Sequence, residues 1–219
     1  MKMTGGIIDL FVLIGSDPEE VVSLYTSIIG RPMMPPLWSL GFQNAYRGYK
    51  NTEDIENMLK RFYHHNVPLD VQYLHAEYMQ NSRDFTFDFK KFKGLQALIN
   101  QTRMNTSLEW SLALYPSIEA IQKLSDDQDY KAFVEGYKND VFIRWPAEVG
   151  KKIRFPPGVP TEKFVLYGKT LSDGPAAFPD FLKESTKKWW FNNIKELRKQ
   201  LAFGSVWLVS LGSTLLQSF

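Results

Sequence analysis

Four short apolar runs, spaced by segments of helical periodicity, constrain this 219-residue chain more than any other feature. Residues 38–42, 69–74, 108–114 and 205–209 read as strands. In the third, Leu108, Trp110, Leu112 and Leu114 alternate with other residues, the period of a pleated strand. The intervening segments repeat their apolar residues at helical spacing. Thr52 caps a helix that places Ile55, Met58, Leu59 and Phe62 on one face, residues 94–104 carry Leu95, Leu98 and Ile99, and residues 179–200 carry Leu182, Trp189, Trp190, Ile194 and Leu197. An excursion rich in turn residues occupies about 116–176. Alternating strand and helix means a parallel sheet, because parallel neighbours need a crossover between them. About four βα units with a long insertion after the third strand fit an α/β fold that is part of a (β/α)8 TIM-type barrel. A small open doubly wound sheet fits the same periodicity.

Residues 1–36 stand apart as a lead-in to the barrel segment at 37–219. Within the lead-in, residues 6–14 read as a strand. Ser16-Asp17-Pro18 opens a helix with Glu19 and Glu20 in its first turn and Val21, Val22, Tyr25 and Ile28 or Ile29 on its apolar face. The run from Arg31 to Pro36 holds three prolines and reads as extended linker.

Several function classes are disfavoured. Twenty-six Lys and Arg against twenty-four Asp and Glu, interspersed, give no basic patch for nucleic acid. The absence of cysteine removes disulfides and thiolate chemistry. His64, His65 and His75 lack a metal-ligand spacing, and no cofactor motif is present. One Lys and an apolar run broken by Asp9 make a poor signal peptide, and the run from Val206 to Leu216 is too short to span a bilayer, so the compartment is left open. Asn100-Gln101-Thr102 and Asn105-Thr106-Ser107 match the N-glycosylation pattern, which matters only in a secretory pathway. The pair Trp189-Trp190 reads as core rather than as a sugar platform.

Longer segments carry a resemblance. They are residues 5–43, Gly48-Tyr49-Lys50-Asn51, Val67 to Tyr73, Glu77-Tyr78-Met79, Asp84-Phe85-Thr86, Asn139 to Pro146, and Ala177 to Phe181 running on through Ser185-Thr186 to Trp189-Trp190. Their order and spacing resemble the first half of the catalytic barrel of α-glucosidases of glycoside hydrolase family 31, of the maltase-glucoamylase and sucrase-isomaltase type. The resemblance implies a retaining exo-acting α-glucosidase of carbohydrate metabolism, with a nucleophile Asp at the end of the fourth strand and an acid Asp beyond the sixth. The expectation is therefore a truncated member whose acid-bearing half lies outside this chain.

The strand ends depart from the pattern that the resemblance implies. After the first strand the family shows Arg-Tyr-Gly-Tyr and this chain Tyr46-Arg47-Gly48-Tyr49, so Arg47 replaces a sugar-stacking aromatic. After the second, Asp-Ile-Asp-Tyr-Met becomes His75-Ala76-Glu77-Tyr78-Met79, leaving His75 for a sugar-binding Asp and a longer carboxylate at Glu77. After the third, Leu-Asp-Pro becomes Leu114-Tyr115-Pro116. In the insertion, Phe155-Pro156 stands for Trp-Pro. In the fourth strand Trp207 holds the register, and Val209 then falls on the nucleophile and Gly212 on a Glu. A retaining glycosidase needs two carboxyl groups roughly 5–5.5 Å apart, and at these four ends only Glu77 is one.

The leading expectation is a catalytically dead, truncated relative of the α-glucosidases that binds α-glucosides weakly at most and self-associates through exposed barrel edges. One rival is a non-catalytic module binding carbohydrate or protein. Another is a residual α-glucosidase completed by a second chain.

Overall fold

The structure is a computed structural model that describes residues 8–169 and 174–209. Two compact units divide the chain, Met1–Pro36 and Leu37–Phe219.

In the first unit the helix forms where expected, as α1 (Pro18–Ile29). Asp17 caps it by accepting the N–H of Glu20 at 2.8 Å, and Pro18 loses nothing by lacking an N–H at the first position. Among the described residues the expected strand does not form. Residues 8–14 have no strand pairing and, apart from the half-buried Leu13, stand exposed; residues 1–7 lie outside the described residues. An apolar run becomes a strand only when a neighbour takes its backbone groups, and the described residues of this unit supply none.

The second unit is built on one parallel sheet. Its strands are β1 (Gln43–Asn44), β2 (Val71–Leu74), β3 (Glu109–Leu114) and, at the far end of the chain, a strand at Ser205–Leu208. Between β1 and β2 runs α2 (Thr52–His64), and between β2 and β3 runs α3 (Leu95–Thr106). The long connection after β3 contains β4 (Ile118–Glu119), β5 (Lys123–Ser125), β6 (Gln128–Asp129), α4 (Lys131–Lys138), α5 (Ala147–Gly150), β7 (Tyr167–Lys169) and β8 (Pro175–Ala177). Then α6 (Glu184–Gln200) leads into Ser205–Leu208, which is β9. The sheet order β1-β2-β3-β9 follows the chain, and every pair is parallel. Sequential parallel strands, each reached through a helix, are how a (β/α)8 barrel begins; the partial barrel of about four units is therefore observed.

The first expected strand is displaced. Leu37–Leu40 form a single 3-10 turn instead, and pairing begins only where the Phe42 carbonyl accepts the N–H groups of Asp70 and Val71. The strand proper is Gln43–Asn44, two polar residues held by polar partners. Tyr73 donates to Gln43 at 2.6 Å and Asn44 donates to Gln72 at 2.9 Å. The cap of α2 is Asn51 rather than Thr52, with its side chain accepting from Asp54 N–H. Helix α6 starts five residues later than expected because Phe142 pairs with Pro179 and Asp180 donates to Val141, which keeps the chain extended there.

Two cores result. Trp110, Leu112 and Leu114 of β3 pack with Leu59 of α2, Leu95 and Ile99 of α3, and Leu197 and Leu201 at the end of α6. The insertion has its own cluster, in which Phe142 stacks on Phe133 and Trp189 of α6 meets Phe142 edge-on. Trp189 is thus core, and its indole N–H donates to the Ala132 carbonyl at 3.2 Å. β3 is buried on both faces, as strands under crossover helices are. Side chains alternate across it, so Glu109, Ser111, Ala113 and the following Tyr115 share the face opposite Trp110. By the parallel register, Tyr73, His75 and Trp207 stand on that same face. Gly204 lets β9 approach β3: a Cβ there would lie within van der Waals overlap of the Glu109 carboxylate.

Candidate functional site

The C-terminal ends of parallel strands converge on one edge of the sheet, where side chains from different units of the chain can meet. Arg47 follows β1, His75 and Glu77 follow β2, Tyr115 follows β3, and Val209 follows β9. Arg47, His75 and Glu77 line one open hollow of about 450 Å3, together with Asn81, Ser82, Asp88 and Lys91.

Each strand-end residue already has work within the chain. Glu77 Oε1 accepts the Gly48 N–H at 2.7 Å. Gly48 has φ +111°, a conformation that favours glycine, so the β1 loop presents its N–H in a way that few other residues would permit. The His75 ring is buried, and its Nε2 lies 3.0 Å from the Ala45 carbonyl. A carbonyl only accepts, so Nε2 carries a proton and donates it there. The ring Nδ1 is buried without a hydrogen-bond partner. Trp207 meets the His75 ring edge-on at 4.9 Å and the Tyr73 ring at 5.4 Å. Tyr115 is 1% exposed, and its hydroxyl accepts a long contact of 3.5 Å from Arg47. Val209 donates its N–H to the Leu114 carbonyl at 2.9 Å and packs against the main core. Phe155 is not at this edge. Its ring faces Tyr167 of β7 at 6.2 Å, inside the insertion, and it does not line the hollow.

Folding also brings in groups that were not singled out from the sequence. Asp88 lines the hollow, with Oδ1 accepting the N–H groups of Lys90 and Lys91. Asp84 lies deeper. It is 2% exposed, its Oδ1 accepts the Tyr115 N–H at 2.8 Å, and its carbonyl accepts the Tyr130 hydroxyl at 2.9 Å. Next to it Arg83 forms a bidentate pair with Glu119 of β4, at 2.5 and 3.4 Å, largely shielded from solvent. The loop after β2 is therefore fixed to the insertion at three points. The one available signal was the segment Asp84-Phe85-Thr86, and it said nothing of burial. Among the described residues no three His, Asp or Glu side chains are grouped to hold a metal ion, and no helix is long and apolar enough to cross a membrane.

Burial pushes the Asp84 carboxyl well above the usual carboxylate range, and the Tyr115 N–H offsets this in part. The folded form then keeps a proton that the unfolded chain releases near its ordinary pKa of 3.8. Below that pH both states are neutral and Asp84 contributes nothing. As pH rises above it, the folded state binds more protons than the unfolded, so stability falls until the folded pKa is passed. Asp84→Asn keeps an oxygen for Tyr115 and removes the ionisation. Its melting temperature relative to the parent is expected to climb between pH 4 and pH 7; a constant or falling difference would contradict this account of Asp84.

The sequence places the chain among known proteins. The family model described as the glycosyl hydrolases family 31 TIM-barrel domain matches residues 32–209. Rat intestinal sucrase-isomaltase is 33% identical over 216 residues, covering 94% of this chain and 11% of that protein. Mouse lysosomal alpha-glucosidase is 31% identical over 207 residues, covering 94% of this chain and 20% of that protein. The fold matches a crystal structure of the glucosidase II alpha subunit with TM-score 0.71 at 19% identity, covering 89% of this chain and 19% of that one. A Flavobacterium johnsoniae dextranase matches with TM-score 0.66 at 16% identity, covering 89% and 21% of the two chains. The chain spans between about a tenth and a fifth of the length of these relatives.

Proposed function

Because this chain belongs to glycosyl hydrolase family 31, a family with α-glucosidases among its members, we propose that it keeps the fold of the family's barrel segment without hydrolysing glycosides itself. The observation that carries this reading is the state of the carboxylates at the strand ends. Retaining hydrolysis needs one carboxylate as nucleophile and a second carboxyl as acid and then base. In our reading Val209 stands at the nucleophile position, and a Val side chain has no lone pair to offer. The three carboxyl groups that folding brings near are committed elsewhere. Glu77 holds the Gly48 N–H, Asp88 holds the turn at Lys90 and Lys91, and Asp84 is buried beneath Tyr115.

The test is direct. The purified chain, given maltose or p-nitrophenyl α-glucoside, is expected to release no product above a blank without protein. Release that follows the protein through two orthogonal columns, and that an α-glucosidase inhibitor blocks, overturns the proposal. Binding of neutral α-glucosides is expected to be millimolar or weaker, about −4 kcal/mol or less favourable.

Self-association belongs to the same reading. Among the described residues β1 and β9 each have one partner strand, and Leu208 of β9 is 61% exposed. An apolar strand with an unpaired edge is a site for pairing with a second copy. Sedimentation velocity is expected to show a dimer at micromolar concentration; a monomer throughout that range removes this part of the reading.

A further inference from the structure

Four charged side chains line the hollow at the strand ends, and they differ in what they already hold. The two carboxylates are engaged by backbone. Glu77 Oε1 takes the Gly48 N–H at 2.7 Å, and Asp88 Oδ1 takes the N–H groups of Lys90 and Lys91 at 3.1 and 2.9 Å. The two cations are not matched in the same way. Among the described residues neither Arg47 nor Lys91 forms an ion pair. Arg47 reaches only the neutral Tyr115 hydroxyl, at 3.5 Å, and Lys91 Nζ lies 3.4 Å from the Glu77 carbonyl and 5.2 Å from the centre of the Phe92 ring. Asn81 and Ser82 stand beside them with an amide and a hydroxyl, and the wall behind includes the buried His75 with its unpartnered Nδ1.

We infer that this hollow takes a small acidic sugar, a hexuronate or aldonate, with its carboxylate on Arg47 and Lys91 and its hydroxyls among Asn81, Ser82 and the second Asp88 oxygen. The inference rests on the reading above that the chain keeps a glycosidase barrel mouth without the hydrolysis. A guanidinium offers coplanar pairs of N–H groups that fit the two oxygens of a carboxylate, and an ammonium adds a compact charge. A neutral hexose would leave both cations without a directly bonded carboxylate. The four formal charges sum to zero, so the hollow exerts no long-range pull, and selection comes from short-range donors that a bare ion uses only in part. The residues lining the hollow also favour a sugar: the Asn81 amide and Ser82 hydroxyl can both donate and accept, and the Asp88 carboxylate accepts, as vicinal hydroxyls require.

The test is an NMR titration of the full-length chain, isotopically labelled, with sodium glucuronate, glucose, acetate and inorganic phosphate, following the amides of Arg47, Gly48, Asn81 and Ser82. Glucuronate is expected to bind at least about tenfold more tightly than each of the other three. Arg47→Ala, at an exposed position, is expected to bring glucuronate down to the level of glucose without moving resonances outside the hollow, and Arg47→Lys to restore part of the difference. Binding of glucose or acetate as tight as glucuronate overturns the inference. So do phosphate binding of equal strength, which would mark a plain anion site, shifts centred elsewhere, or no shifts at all. Glucose release in the hydrolysis assay would sink the non-hydrolysing reading, while selective glucuronate binding is read separately and stands or falls by itself.

Discussion

Trp110→Ala is expected to destabilise the barrel segment by about 3–5 kcal/mol, the usual range for emptying a large aromatic from a core. Trp110 sits mid-way along the best-paired strand and has no exposed surface. Its indole N–H donates to Thr102 Oγ1 of α3 at 2.9 Å, and that hydroxyl in turn donates to the α3 backbone at Leu98. Its carbonyl accepts the Gly204 N–H at 3.0 Å, at the entrance to β9. One residue thus joins the strand, the helix before it and the strand after it. Domains of ordinary size have about 5–15 kcal/mol to lose, so the variant is expected to give up a large share of the segment's stability and to unfold at a much lower urea concentration than the parent. Trp110→Phe separates the causes, because it keeps most of the ring and drops the hydrogen bond. Its cost is expected to be about 1–2 kcal/mol, set by the lost bond and the smaller ring. Urea midpoints for the two variants check this; equal losses would mean that the hydrogen bond, not the buried area, dominates.

The second large effect concerns catalysis. Val209→Asp is expected to leave hydrolysis at the level of the blank, although glycosidases as enzymes accelerate their reactions by at least about a millionfold. On the reading proposed above, a carboxylate restored at position 209 would still lack an acid to protonate the departing oxygen. The carboxyl groups that folding brings to the same edge do not fill that role. Asp84 holds its proton, but it is almost completely enclosed and its Oδ1 is taken by the Tyr115 N–H. Glu77 would have to release Gly48, whose positive φ sets the position of the loop after β1. Position 209 itself can accept the change: Val209 is only partly buried, and its hydrogen bond to Leu114 is made by the backbone. A folded but inactive variant is therefore expected, with circular dichroism like that of the parent. Turnover by Val209→Asp would show that an acid is already in place and would undo the reasoning about Glu77, Asp84 and Asp88.

The sheet was legible in the sequence where packing dictates the pattern. β2 and β3 are rich in apolar residues because crossover helices cover them, and Ile55, Leu59, Leu95 and Ile99 fall at helical spacing because one side of each helix meets that sheet. β1 was misplaced for the opposite reason. Its residues are Gln43 and Asn44, whose amides bond to Tyr73 and Gln72 about thirty residues away, and no local pattern announces a polar strand with polar partners. Within the expected strand at 38–42, Leu40 is exposed and belongs to a 3-10 turn instead. Residues 8–14 show the same error in purer form: apolar composition without a partner is not a strand. At the strand ends, Arg47, His75 and Glu77 line one hollow because strand ends converge in any parallel barrel. Asp84 could not be valued, since its burial depends on Tyr115 and Tyr130, 31 and 46 residues along the chain. Phe155 was placed by analogy within the insertion, whose small antiparallel sheets carry little periodicity, and it turns to Tyr167 instead.

Covalent trapping tests the central claim most directly, because it needs only a single chemical event rather than turnover. A retaining glycosidase treated with a fluorinated α-glucosyl fluoride forms a glycosyl ester on its nucleophile, and intact-mass spectrometry detects that ester even when later steps are blocked. The account predicts that the purified chain keeps its unmodified mass after prolonged exposure, with Val209 unable to form the bond and no other carboxylate placed to replace it. A mass increase of one glycosyl unit, traced by peptide mapping to Glu77, Asp84, Asp88 or any other carboxylate, would contradict it.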